Sequence, residues 1–572
     1  MTQSGDVMEV ALRRGFINPS YEIYGGVSGF YDYAPLGAAL KKNLEDIWRR
    51  YFVIEEGFFE ISSPTISPEE VFIASGHVSN FVDPLVSCGK CGSAFRADHL
   101  VSAALDIKTD GLSFEELSKL IREHALRCPD CGGELSEVYS YNLMFKTYIG
   151  PGKRKVGYLR PETAQGIFIL FPRLYSFYRK KLPFGVAQIG KAYRNEISPR
   201  QGLIRLREFT QAEVEIFIDP QDKSHPNFER YAEERLRLLP QDREEEIELT
   251  AREAVEKGVV KHEFLCYYLA HTQRFLLELG IARDRLRFRQ HLREEMAHYA
   301  ADCWDAEVKT ERFGWIEVVG IADRTDYDLK AHERHAKVEL RAFRQFEKPK
   351  KRRRLALEPN MARLGPEFRS LAKRVAEALS SLPESEVRRF AERGELELSV
   401  GEERVLITRE HASVREVEEV ITGEKFTPHV IEPSFGIDRI LYCVLESAYH
   451  RREGKNVLRL SPQLAPVKAA VFPLLNREEL VRVAMEVFRE VKRAGILAVY
   501  DASDSIGRRY ARVDEIGVPF AVTVDFETLE DGTVTVRERD SAEQVRVHKD
   551  EVAGVLGDLI AGRRRFEELS RS

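Results

Sequence analysis

The sequence predicts an α+β protein with a separate C-terminal α/β domain. Two apolar strands, 184–192 and 204–218, flank a polar loop and predict a β-sheet in the first part of the chain. Segments rich in Glu, Arg and Leu at helical spacing predict helical insertions into this part. From Pro466 onward, short apolar strands alternate with helices, which is typical of a small, mainly parallel α/β domain.

Near the N-terminus, residues 36–52 predict an amphipathic helix, and Phe58–Ser63 predicts a short strand that Pro64 stops. The apolar positions of the helix are Leu40, Leu44, Ile47, Trp48 and Tyr51. This pattern suits an element at an interface between chains. It suits an ordinary helix packed on its own core equally well.

The middle of the chain combines predicted strands with two insertions. Residues 167–178 predict a helix, 313–322 a strand, and 429–450 a strand, a turn and a helix. Residues 224–310 predict a helical insertion, and 336–425 a second insertion with helices at 366–380 and 384–393.

The C-terminal domain is predicted element by element. Its strands are Val467–Leu474, Ile496–Tyr500 and Phe520–Val524, with a helix at 504–517 and a hairpin of Thr533–Arg537 and Gln544–His548. Asn476 and Glu479 have capping-box spacing and predict the start of a helix after the first strand.

Composition bounds the class of protein. The 572 residues are enough for several domains, and the formal net charge of −6 neither supports nor excludes a nucleic-acid partner. Met1–Phe16 lacks the apolar stretch of a signal peptide, and no run approaches the ~20 apolar residues of a membrane span. We therefore expect a cytoplasmic protein.

Two arginine-centred segments indicate phosphate binding. They are Gly190–Glu196, which contains Arg194, and Gly436–Arg439. A guanidinium is a planar, permanently charged fork that matches a phosphate group. Taken alone, an Arg-x-Glu such as Arg194 and Glu196 is more often a surface ion pair.

Carboxylates inside apolar strands strengthen the prediction of a site. Glu213 and Glu215 alternate along the second strand, Glu317 lies in Trp315–Val319, and Glu432 lies in Val430–Phe435. Gln211 shares the face of Glu213, and Arg160–Gly166 precedes the helix 167–178. Carboxylates in such positions are costly unless they pair with a cation or a metal. One of them could be a structural ion pair; four beside phosphate-type arginines indicate a site.

Four of the seven cysteines form two Cys-x-x-Cys pairs, Cys88 with Cys91 and Cys128 with Cys131. Four thiolates suit a tetrahedral structural zinc, although the 36 intervening residues exceed a common short ribbon. Reduced thiols without metal are the alternative. The remaining cysteines, Cys266, Cys303 and Cys443, occur singly in apolar surroundings.

A basic run, Lys350–Arg354, lies inside the second predicted insertion. Such a run is typical of a nuclear address or an RNA-binding patch, and equally of a solvated loop. Its position within an insertion favours contact with an RNA backbone over targeting.

Several long segments resemble the class II aminoacyl-tRNA synthetases, and specifically glycyl-tRNA synthetases of the single-chain, dimeric type. Glu60–Pro64 resembles motif 1, Gly190–Glu196 with Arg207–Gln211 motif 2, and Glu432–Arg439 motif 3. The glycine-type segments are Phe95–Leu100, Asn142–Phe145, Arg160–Gly166, Trp315–Glu317 and Ala322–Leu329. The resemblance covers most of the chain outside the insertions. It implies an antiparallel catalytic sheet and a C-terminal anticodon-binding domain.

The resemblance implies that ATP, Mg²⁺ and glycine bind here. Arg194 would hold the α-phosphate, Arg439 the γ-phosphate, and Glu317 would help to hold Mg²⁺; these three are the expected catalytic residues. The implied ATP-binding residues are Arg194, Asn195, Glu196, Ile204, Arg205, Leu206, Arg207, Glu208, Phe209, Glu317, Val318, Gly436, Ile437, Asp438 and Arg439. The implied glycine-binding residues are Arg96, Glu162, Phe209, Thr210, Gln211, Ala212, Glu213, Arg324, Glu432, Pro433, Ser434, Phe435 and Gly436.

The expected domain order follows from the motifs. The expected catalytic core consists of residues 1–87, 136–223, 311–335 and 426–463. It is interrupted by a zinc-binding insertion at 88–135 and by two further insertions at 224–310 and 336–425. The expected anticodon-binding domain comprises residues 464–572. The expected partners are tRNA(Gly) and a second copy of the chain, through the region ending at Pro64.

Three rival interpretations remain open. One is a class II synthetase for another small amino acid, against which the set Glu162, Glu213, Glu432 and Ser434 argues. Another is a silent paralogue that only binds RNA, from which loss of Arg194 or Arg439 would be expected; both are present. The third is a zinc-dependent nucleic-acid binder centred on Cys88–Cys131.

Overall fold

The computed structural model describes residues 3–109, 111–197, 199, 201–293, 300–401 and 403–571. They form two compact units, one of Met1–Leu340 with Pro428–Ser572 and the other of Arg341–Thr427. The second unit lies close in sequence to the predicted insertion 336–425.

The elements are numbered in chain order. The helices are α1 (Gln3–Arg13), α2 (Pro35–Arg49), α3 (Glu69–Ala74), α4 (His77–Asn80), α5 (Ala97–Leu105), α6 (Phe114–Glu123), α7 (Ala164–Phe177), α8 (Ala251–Glu256), α9 (Glu263–Glu278), α10 (Tyr327–Ala336), α11 (Met361–Phe368), α12 (Ala372–Ser380), α13 (Glu384–Arg393), α14 (Ile437–Ala448), α15 (Glu478–Arg493), α16 (Ile506–Glu515), α17 (Phe526–Asp531) and α18 (Val552–Ile560). The strands are β1 (Ile17–Pro19), β2 (Tyr31–Tyr33), β3 (Phe59–Glu60), β4 (Ile66–Pro68), β5 (Val82–Ser87), β6 (Ala94–Arg96), β7 (Tyr139–Asn142), β8 (Lys146–Tyr148), β9 (Val156–Leu159), β10 (Phe184–Tyr193), β11 (Glu208–Ile218), β12 (Arg235–Leu239), β13 (Ile247–Thr250), β14 (Leu286–Gln290), β15 (Asp302–Thr310), β16 (Gly314–Thr325), β17 (Ala342–Pro359), β18 (Glu395–Val400), β19 (Glu403–Thr408), β20 (Ala412–Phe426), β21 (His429–Gly436), β22 (Tyr449–Arg452), β23 (Lys455–Leu458), β24 (Ala469–Pro473), β25 (Ala498–Tyr500), β26 (Phe520–Val524), β27 (Thr533–Glu538) and β28 (Gln544–His548).

A nine-stranded sheet dominates the first unit. Its strand order is β13-β12-β14-β15-β16-β21-β11-β10-β3. The central pairs, from β14 to β10, are antiparallel, which confirms the predicted core. Strands that are distant in sequence, β11 and β21, therefore become neighbours at the centre of the sheet.

One face of this sheet is covered by helices α2, α9 and α14, which form the main hydrophobic core. The buried positions of α2 include Leu40, Leu44, Ile47 and Trp48, so the predicted amphipathic helix is confirmed. A π-helical turn, Arg50–Glu55, extends it. Since Trp48 stacks on Phe52 at 5.3 Å and both rings are fully buried, this part of α2 packs on its own core.

The other face of the sheet carries polar side chains and is backed by α7. Arg160 lies in the segment between β9 and α7. Its guanidinium donates hydrogen bonds to the carbonyl oxygens of Lys191 (2.8 Å) and Ser63 (3.1 Å). A Cβ on Gly190 would lie 2.1 Å from the Arg160 Nη2 atom, so a larger residue at this position in β10 would displace the Arg160 guanidinium from its hydrogen bonds. Arg160 thus ties the segment before α7 to the end of β10.

The prediction of a helical insertion at 224–310 is wrong. Only α8 and α9 are α-helical there, and β12–β15 add four strands to the main sheet; residues 294–299 lie outside the described part. Leu236 and Leu238 are fully buried, whereas Arg235 and Arg237 alternate with them along β12. This two-residue period belongs to a half-buried strand, and it was mistaken for helical spacing because Arg and Leu also favour helices.

The C-terminal domain has the predicted α/β architecture. Strands β25, β24 and β26 are parallel, and the hairpin β27–β28 continues the sheet in antiparallel pairing. The predicted capping box is wrong, because α15 begins at Glu478 with Arg477 as its N-cap residue. The backbone is still extended at Arg477, so Asn476 lies too early to cap the helix.

The second unit contains a two-stranded ribbon of β17 and β20, three helices and the hairpin β18–β19. The basic run lies within β17, so its interpretation as a loop is wrong. Glu418 pairs with Lys351 at 2.5 Å and Glu419 with Arg354 at 3.2 Å. The facing strand therefore neutralises part of the basic charge.

Two smaller findings complete the fold. The strand predicted at Phe58–Ser63 is restricted to Phe59–Glu60, which forms an edge of the main sheet. Among the described residues, no helix combines the length and apolar character needed to cross a membrane.

Candidate functional site

A cavity opens over the polar face of the main sheet, where β10, β11, β16 and β21 lie side by side. Its walls bring together residues from both arginine-centred segments. They are Arg194, Glu196, Leu203, Ile204, Arg205, Leu206, Phe209, Gln211, Glu317, Val318, Ser434, Gly436, Asp438 and Arg439. All except Leu203 are residues that the sequence placed in the site.

Arg194 follows the last residue of β10 and lies between two aromatic rings. Its guanidinium carbon is 5.4 Å from the ring centre of Phe81 and 5.3 Å from that of Phe209. Its Nε atom also donates to the carbonyl oxygen of Pro161 at 3.4 Å. Aromatic faces hold a guanidinium in place without neutralising its charge, so Arg194 is presented to the cavity as an oriented cation.

Arg439 approaches the same cavity from the start of α14. Its Nη1 atom donates to the Glu317 carbonyl oxygen (2.9 Å) and carboxylate (3.0 Å), and its Nε atom to the Ile204 carbonyl (3.1 Å). The Glu317 side chain is 49% exposed at the cavity wall. Desolvation opposes its ionisation, but the charge and hydrogen bond of Arg439, together with Arg194 and His291, outweigh it and lower the pKa of Glu317. Glu317 is therefore an anion beside a cation at the cavity wall.

Asp438 fixes the position of the third predicted motif. One carboxylate oxygen accepts from the backbone N–H of Thr210 at 2.5 Å, and the other accepts from the hydroxyl of Tyr33. These bonds connect α14 to β11 and to the N-terminal strand β2. The arginine that follows, Arg439, is thereby held in register with the centre of the sheet.

Next to this cavity, buried carboxylates surround a single guanidinium. Arg324, only 1% exposed, donates to both oxygens of Glu432 (2.9 and 3.0 Å) and to Asp328 (2.9 and 3.1 Å), and Glu162 lies 3.6 Å away. Glu213 accepts from the Thr163 amide at 2.7 Å and from the Ser434 hydroxyl at 2.7 Å. Since Ser434 also lines the cavity, the carboxylate group and the cavity share a wall.

The carboxylates of this group differ in their ionisation. Burial alone would raise the pKa of Glu162, but the nearby charges of Arg324 and His77 lower it. Burial raises the pKa of Glu432 to about 8, even though Arg324 opposes this shift. Burial and the neighbouring Glu432 raise the pKa of Glu215 well above its usual range. Within one buried group, Glu162 is therefore easier to ionise than an ordinary glutamate, whereas Glu432 and Glu215 are harder to ionise.

Comparison with known proteins agrees with this geometry. A family model described as the tRNA synthetase class II core domain (G, H, P, S and T) matches residues 150–257, and one described as an anticodon binding domain matches 468–559. The glycine–tRNA ligase of Methanothrix thermoacetophila is 54% identical and covers 99% of both chains. Those of Methanothermobacter thermautotrophicus and Pyrococcus furiosus are each 53% identical, over 96% and 97% of this chain and 98% and 99% of their own.

The chain belongs to the glycine–tRNA ligase family. The class II core match covers β10, β11 and the Glu162 segment, and so includes eight of the fourteen residues that line the cavity and part of the carboxylate group. The expected α+β class and the C-terminal anticodon-binding domain are confirmed.

Some residues that the family resemblance placed in the site have side chains elsewhere. Ala212 and Phe435 face the opposite side of the sheet, where Phe435 packs against Phe52 at 4.7 Å. Ile437 is also part of that core. Successive side chains of a strand alternate between faces, so these residues can offer only backbone atoms to a ligand.

Other predicted residues lie beside the cavity without lining it. Asn195 donates its backbone N–H to Leu143, Arg207 binds the carbonyl oxygens of Glu196 and Ser28, and Glu208 pairs with Lys191. Arg96 is paired with Asp83 at 3.2 Å and Asp98 at 2.6 Å, away from Arg324. The side chains of Thr210 and Pro433 do not line the cavity either.

Sequence reasoning missed four residues around the site of this ligase family member. Phe81 lies against Arg194, Leu203 lines the cavity, His77 is 3.7 Å from Glu162, and Asp328 binds Arg324. Only Asp328 carried a usable signal, because it lies four residues after Arg324 on an adjoining helix. The other three come from segments with no chemical pattern of their own.

The two Cys-x-x-Cys pairs converge near the β5–β6 strands. The four sulfur atoms of Cys88, Cys91, Cys128 and Cys131 all lie within 4.8 Å of one another. A Cβ on Gly133 would lie 2.9 Å from the Cys88 sulfur and 3.3 Å from that of Cys131, so a glycine is needed to close the group. This compact set of four thiols fits a tetrahedral zinc ion.

A second grouping, His291, Cys303 and Asp305, also has donor atoms within 4.8 Å. His291 Nε2 is already hydrogen-bonded to Asp305 at 2.8 Å. That bond explains the grouping as an ordinary His–Asp pair between the residue after β14 and the neighbouring strand β15.

Proposed function

We propose that this chain is a glycine–tRNA ligase, which joins glycine to tRNA(Gly) with cleavage of ATP to AMP and pyrophosphate. The observation that supports this most strongly is the shared wall between two kinds of site. A cavity with two oriented arginines adjoins a buried group of carboxylates through Ser434 and Gln211. The arginines suit a triphosphate, and the carboxylates suit an ammonium group.

In the first step, the carboxylate of glycine attacks the α-phosphorus of ATP, and pyrophosphate leaves. Arg194 stabilises the charge that develops on the α-phosphate, because its position between Phe81 and Phe209 is set before the reaction. Arg439 holds the γ-phosphate. Its partner Glu317 can exchange the ion pair for a bound cation. No protein nucleophile is required, since positioning and charge stabilisation supply the catalysis.

Mg²⁺ fits the same wall, because Glu317 offers a carboxylate, which is the type of ligand this hard cation prefers. When bound, the ion neutralises phosphate charge. Glu317 and the oxygen atoms of the triphosphate would hold it.

Glycine is recognised by its two charged ends. Glu213, Glu162 and Glu432 surround the ammonium, and Ser434 orients Glu213 through its hydroxyl. Charge-assisted hydrogen bonds are needed because glycine has no side chain to hold. A pocket that merely binds or lacks one methyl group discriminates by only about 1–3 kcal/mol. Stronger rejection of larger amino acids would require a steric clash near the α-carbon of the ligand.

In the second step, the terminal hydroxyl of the tRNA attacks the carbonyl carbon of glycyl-adenylate, and AMP leaves. The C-terminal domain, residues 468–559, matches an anticodon-binding domain and supports recognition of the other end of tRNA(Gly). The same chain would then bind both the 3′ end and the anticodon of its RNA substrate.

We also propose a homodimer through the region ending at Pro64. β3 is an edge strand of the main sheet, and Phe59 on it is 55% exposed. Its ring packs against Phe177, itself 61% exposed, at 5.1 Å. An exposed sheet edge with aromatic side chains is typical of a surface that another chain covers. Sedimentation equilibrium measures the stoichiometry directly.

The four clustered cysteines support one structural zinc ion per chain. We expect elemental analysis of the purified protein to give about one zinc per chain, and Cys91→Ser to lower it severalfold. Cys303→Ser is the matched control, because Cys303 belongs to the other grouping and should leave the zinc content unchanged. If only the Cys303 variant lost zinc, the metal would be bound at His291, Cys303 and Asp305, and the proposed four-cysteine site would be wrong.

Amino-acid-dependent exchange of pyrophosphate into ATP tests the function. We expect exchange with glycine and about 10²-fold weaker exchange with alanine or serine. Strong exchange with another small amino acid would favour the first rival interpretation. Absence of exchange with every amino acid, with tRNA binding retained, would favour a silent paralogue.

A further inference from the structure

Glu215 is a fully buried carboxyl group that neither the arginines nor the mechanism uses. It is 0% exposed, and neither of its oxygen atoms has a hydrogen-bond partner. It lies two residues after Glu213 on β11, and so on the same face of the sheet. An ionised carboxylate in this environment would cost several kcal/mol unless it were paired.

The strand register places Glu215 opposite a second carboxyl group. β11 and β21 pair Glu213 with Ser434 and Ile216 with Ile431, so Glu215 lies across from Glu432. Like charges directly opposite each other on neighbouring strands repel. Two buried carboxyl groups in such a position cannot both be ionised at low cost, so one keeps a proton.

Of the charged groups that act on Glu215, Arg324 is the cation and Glu432, Glu213 and Asp328 are the anions, while Arg160 acts on Glu213 instead. β16 contributes Arg324, α10 contributes Asp328 and His332, β11 contributes Glu213, and the segments before α7 and at α4 contribute Glu162 and His77. The facing residues of β10 and α7, Val186, Gln188 and Gln165, are uncharged. His332 bonds to Gln165 at 2.7 Å, and burial lowers its pKa.

Hydrogen bonds decide which member of the pair carries the proton. Both oxygen atoms of Glu432 accept from Arg324, at 2.9 and 3.0 Å, which is the arrangement of an ionised carboxylate. Glu215 accepts nothing. The proton therefore belongs on Glu215 while the pocket holds no additional cation.

We propose that Glu215 is a positioning residue of the glycine pocket: it carries the proton that the pair of Glu215 and Glu432 retains, and the ammonium group of glycine displaces that proton. On binding, the Glu215 O–H bond breaks, the proton passes to solvent, and the new carboxylate balances the incoming positive charge. This inference rests on the proposed function, because it assigns the ligand's ammonium to the same pocket. It makes the affinity for glycine depend on pH.

The direction of the pH effect follows from proton release. A reaction that releases a proton is favoured as pH rises, so glycine should bind more tightly toward the upper end of the titration of the pair. Burial raises the pKa of Glu432 to about 8, and burial with the neighbouring Glu432 raises the pKa of Glu215 well above its usual range. Because the two groups titrate as a pair, the pair holds at least one proton below about pH 8. Above that range the effect should fade as the pair loses protons without glycine.

Calorimetry of glycine binding to the full chain tests the proposal. Titrations at pH 7.5 in phosphate and in Tris, which differ in ionisation enthalpy, should give observed enthalpies that differ by the release of about one proton per glycine. In Glu215→Gln, which keeps the shape of the protonated group, that difference should vanish. Glu234→Gln is the matched control, since Glu234 is a buried carboxylate before β12, near the far edge of the main sheet, and pairs with Arg283 at 2.6 Å.

Each outcome is decisive. Equal enthalpies in the two buffers for the wild-type chain would overturn the proposal without any variant, as would proton release that persists in Glu215→Gln. The KM for glycine in pyrophosphate exchange gives a second measurement. In the wild type, this KM should fall by up to about tenfold for each unit by which pH rises toward 8. In Glu215→Gln, it should not change with pH over the same range. A chain that shows no glycine-dependent exchange refutes the proposed function, whereas an active chain without proton release refutes only the role of Glu215.

Discussion

Arg194→Ala is expected to reduce glycine-dependent pyrophosphate exchange by about 10³-fold while the protein remains folded. The guanidinium makes one weak hydrogen bond, to Pro161 at 3.4 Å, and otherwise rests between Phe81 and Phe209. Its loss therefore removes little structure and leaves the transition-state charge at the α-phosphate without its cation. Arg194→Lys keeps the charge but not the planar fork, and should recover part of the rate.

The measurement separates catalysis from binding. Exchange rates at saturating ATP and glycine report the loss of rate, and circular dichroism reports the fold. Arg312→Ala is the matched control, because Arg312 also lies over an aromatic ring, Phe313 at 5.2 Å, but does not line the cavity. An Arg194→Ala enzyme with a rate within threefold of wild type would remove Arg194 from the reaction.

The convergence of the site could be predicted because its chemistry is unusual for its setting. Glu213, Glu317 and Glu432 occupy strand positions where a structural role would call for apolar residues, and they do line or adjoin one cavity. Arg194 and Arg439 stand at ends of elements, where long side chains can turn toward a cleft. Residues that break the local pattern carried the information about function.

Partners supplied by unremarkable segments could not be predicted. Phe81 comes from the loop after α4, and an isolated phenylalanine in a sequence gives no sign that it will lie beneath Arg194. The strands β12 and β14 were missed for a different reason. Their Arg–Leu alternation satisfies both a helical composition and a strand period, and only tertiary packing on β15 decides between them.

Glu215 differs from Glu213 in a way that the structure shows and the sequence does not. Its sequence position is equivalent in kind to that of Glu213, two residues earlier on the same face. Glu213 accepts hydrogen bonds from Thr163 and Ser434, whereas Glu215 has no partner among the described residues. Two like residues on one strand thus meet different surroundings, and for Glu215 burial and the neighbouring Glu432 raise the pKa well above its usual range.

Glu213→Gln should raise the KM for glycine by about 100-fold and change the KM for ATP by less than about threefold. The glutamine oxygen can still accept from the Thr163 amide and hydroxyl, and its amide can donate to the Ser434 hydroxyl, so the buried contacts persist. What disappears is the negative charge beside the glycine ammonium. A charge-assisted hydrogen bond of this kind contributes about 3 kcal/mol, which corresponds to the expected factor.

The complementary variant, Glu317→Gln, makes the test a double comparison. Glu317 lies on the arginine side of the cavity, paired with Arg439 at 3.0 Å, so its loss should weaken ATP binding and leave the glycine KM nearly unchanged. Steady-state exchange kinetics with each substrate varied in turn give all four values. Equal effects of Glu213→Gln on glycine and ATP would mean that the carboxylate group supports the cavity as a whole. We expect Glu213→Gln to raise mainly the KM for glycine and Glu317→Gln to raise mainly the KM for ATP. That result would divide the cavity into an ammonium end and a phosphate end, in agreement with the separate environments of Glu213 and Glu317.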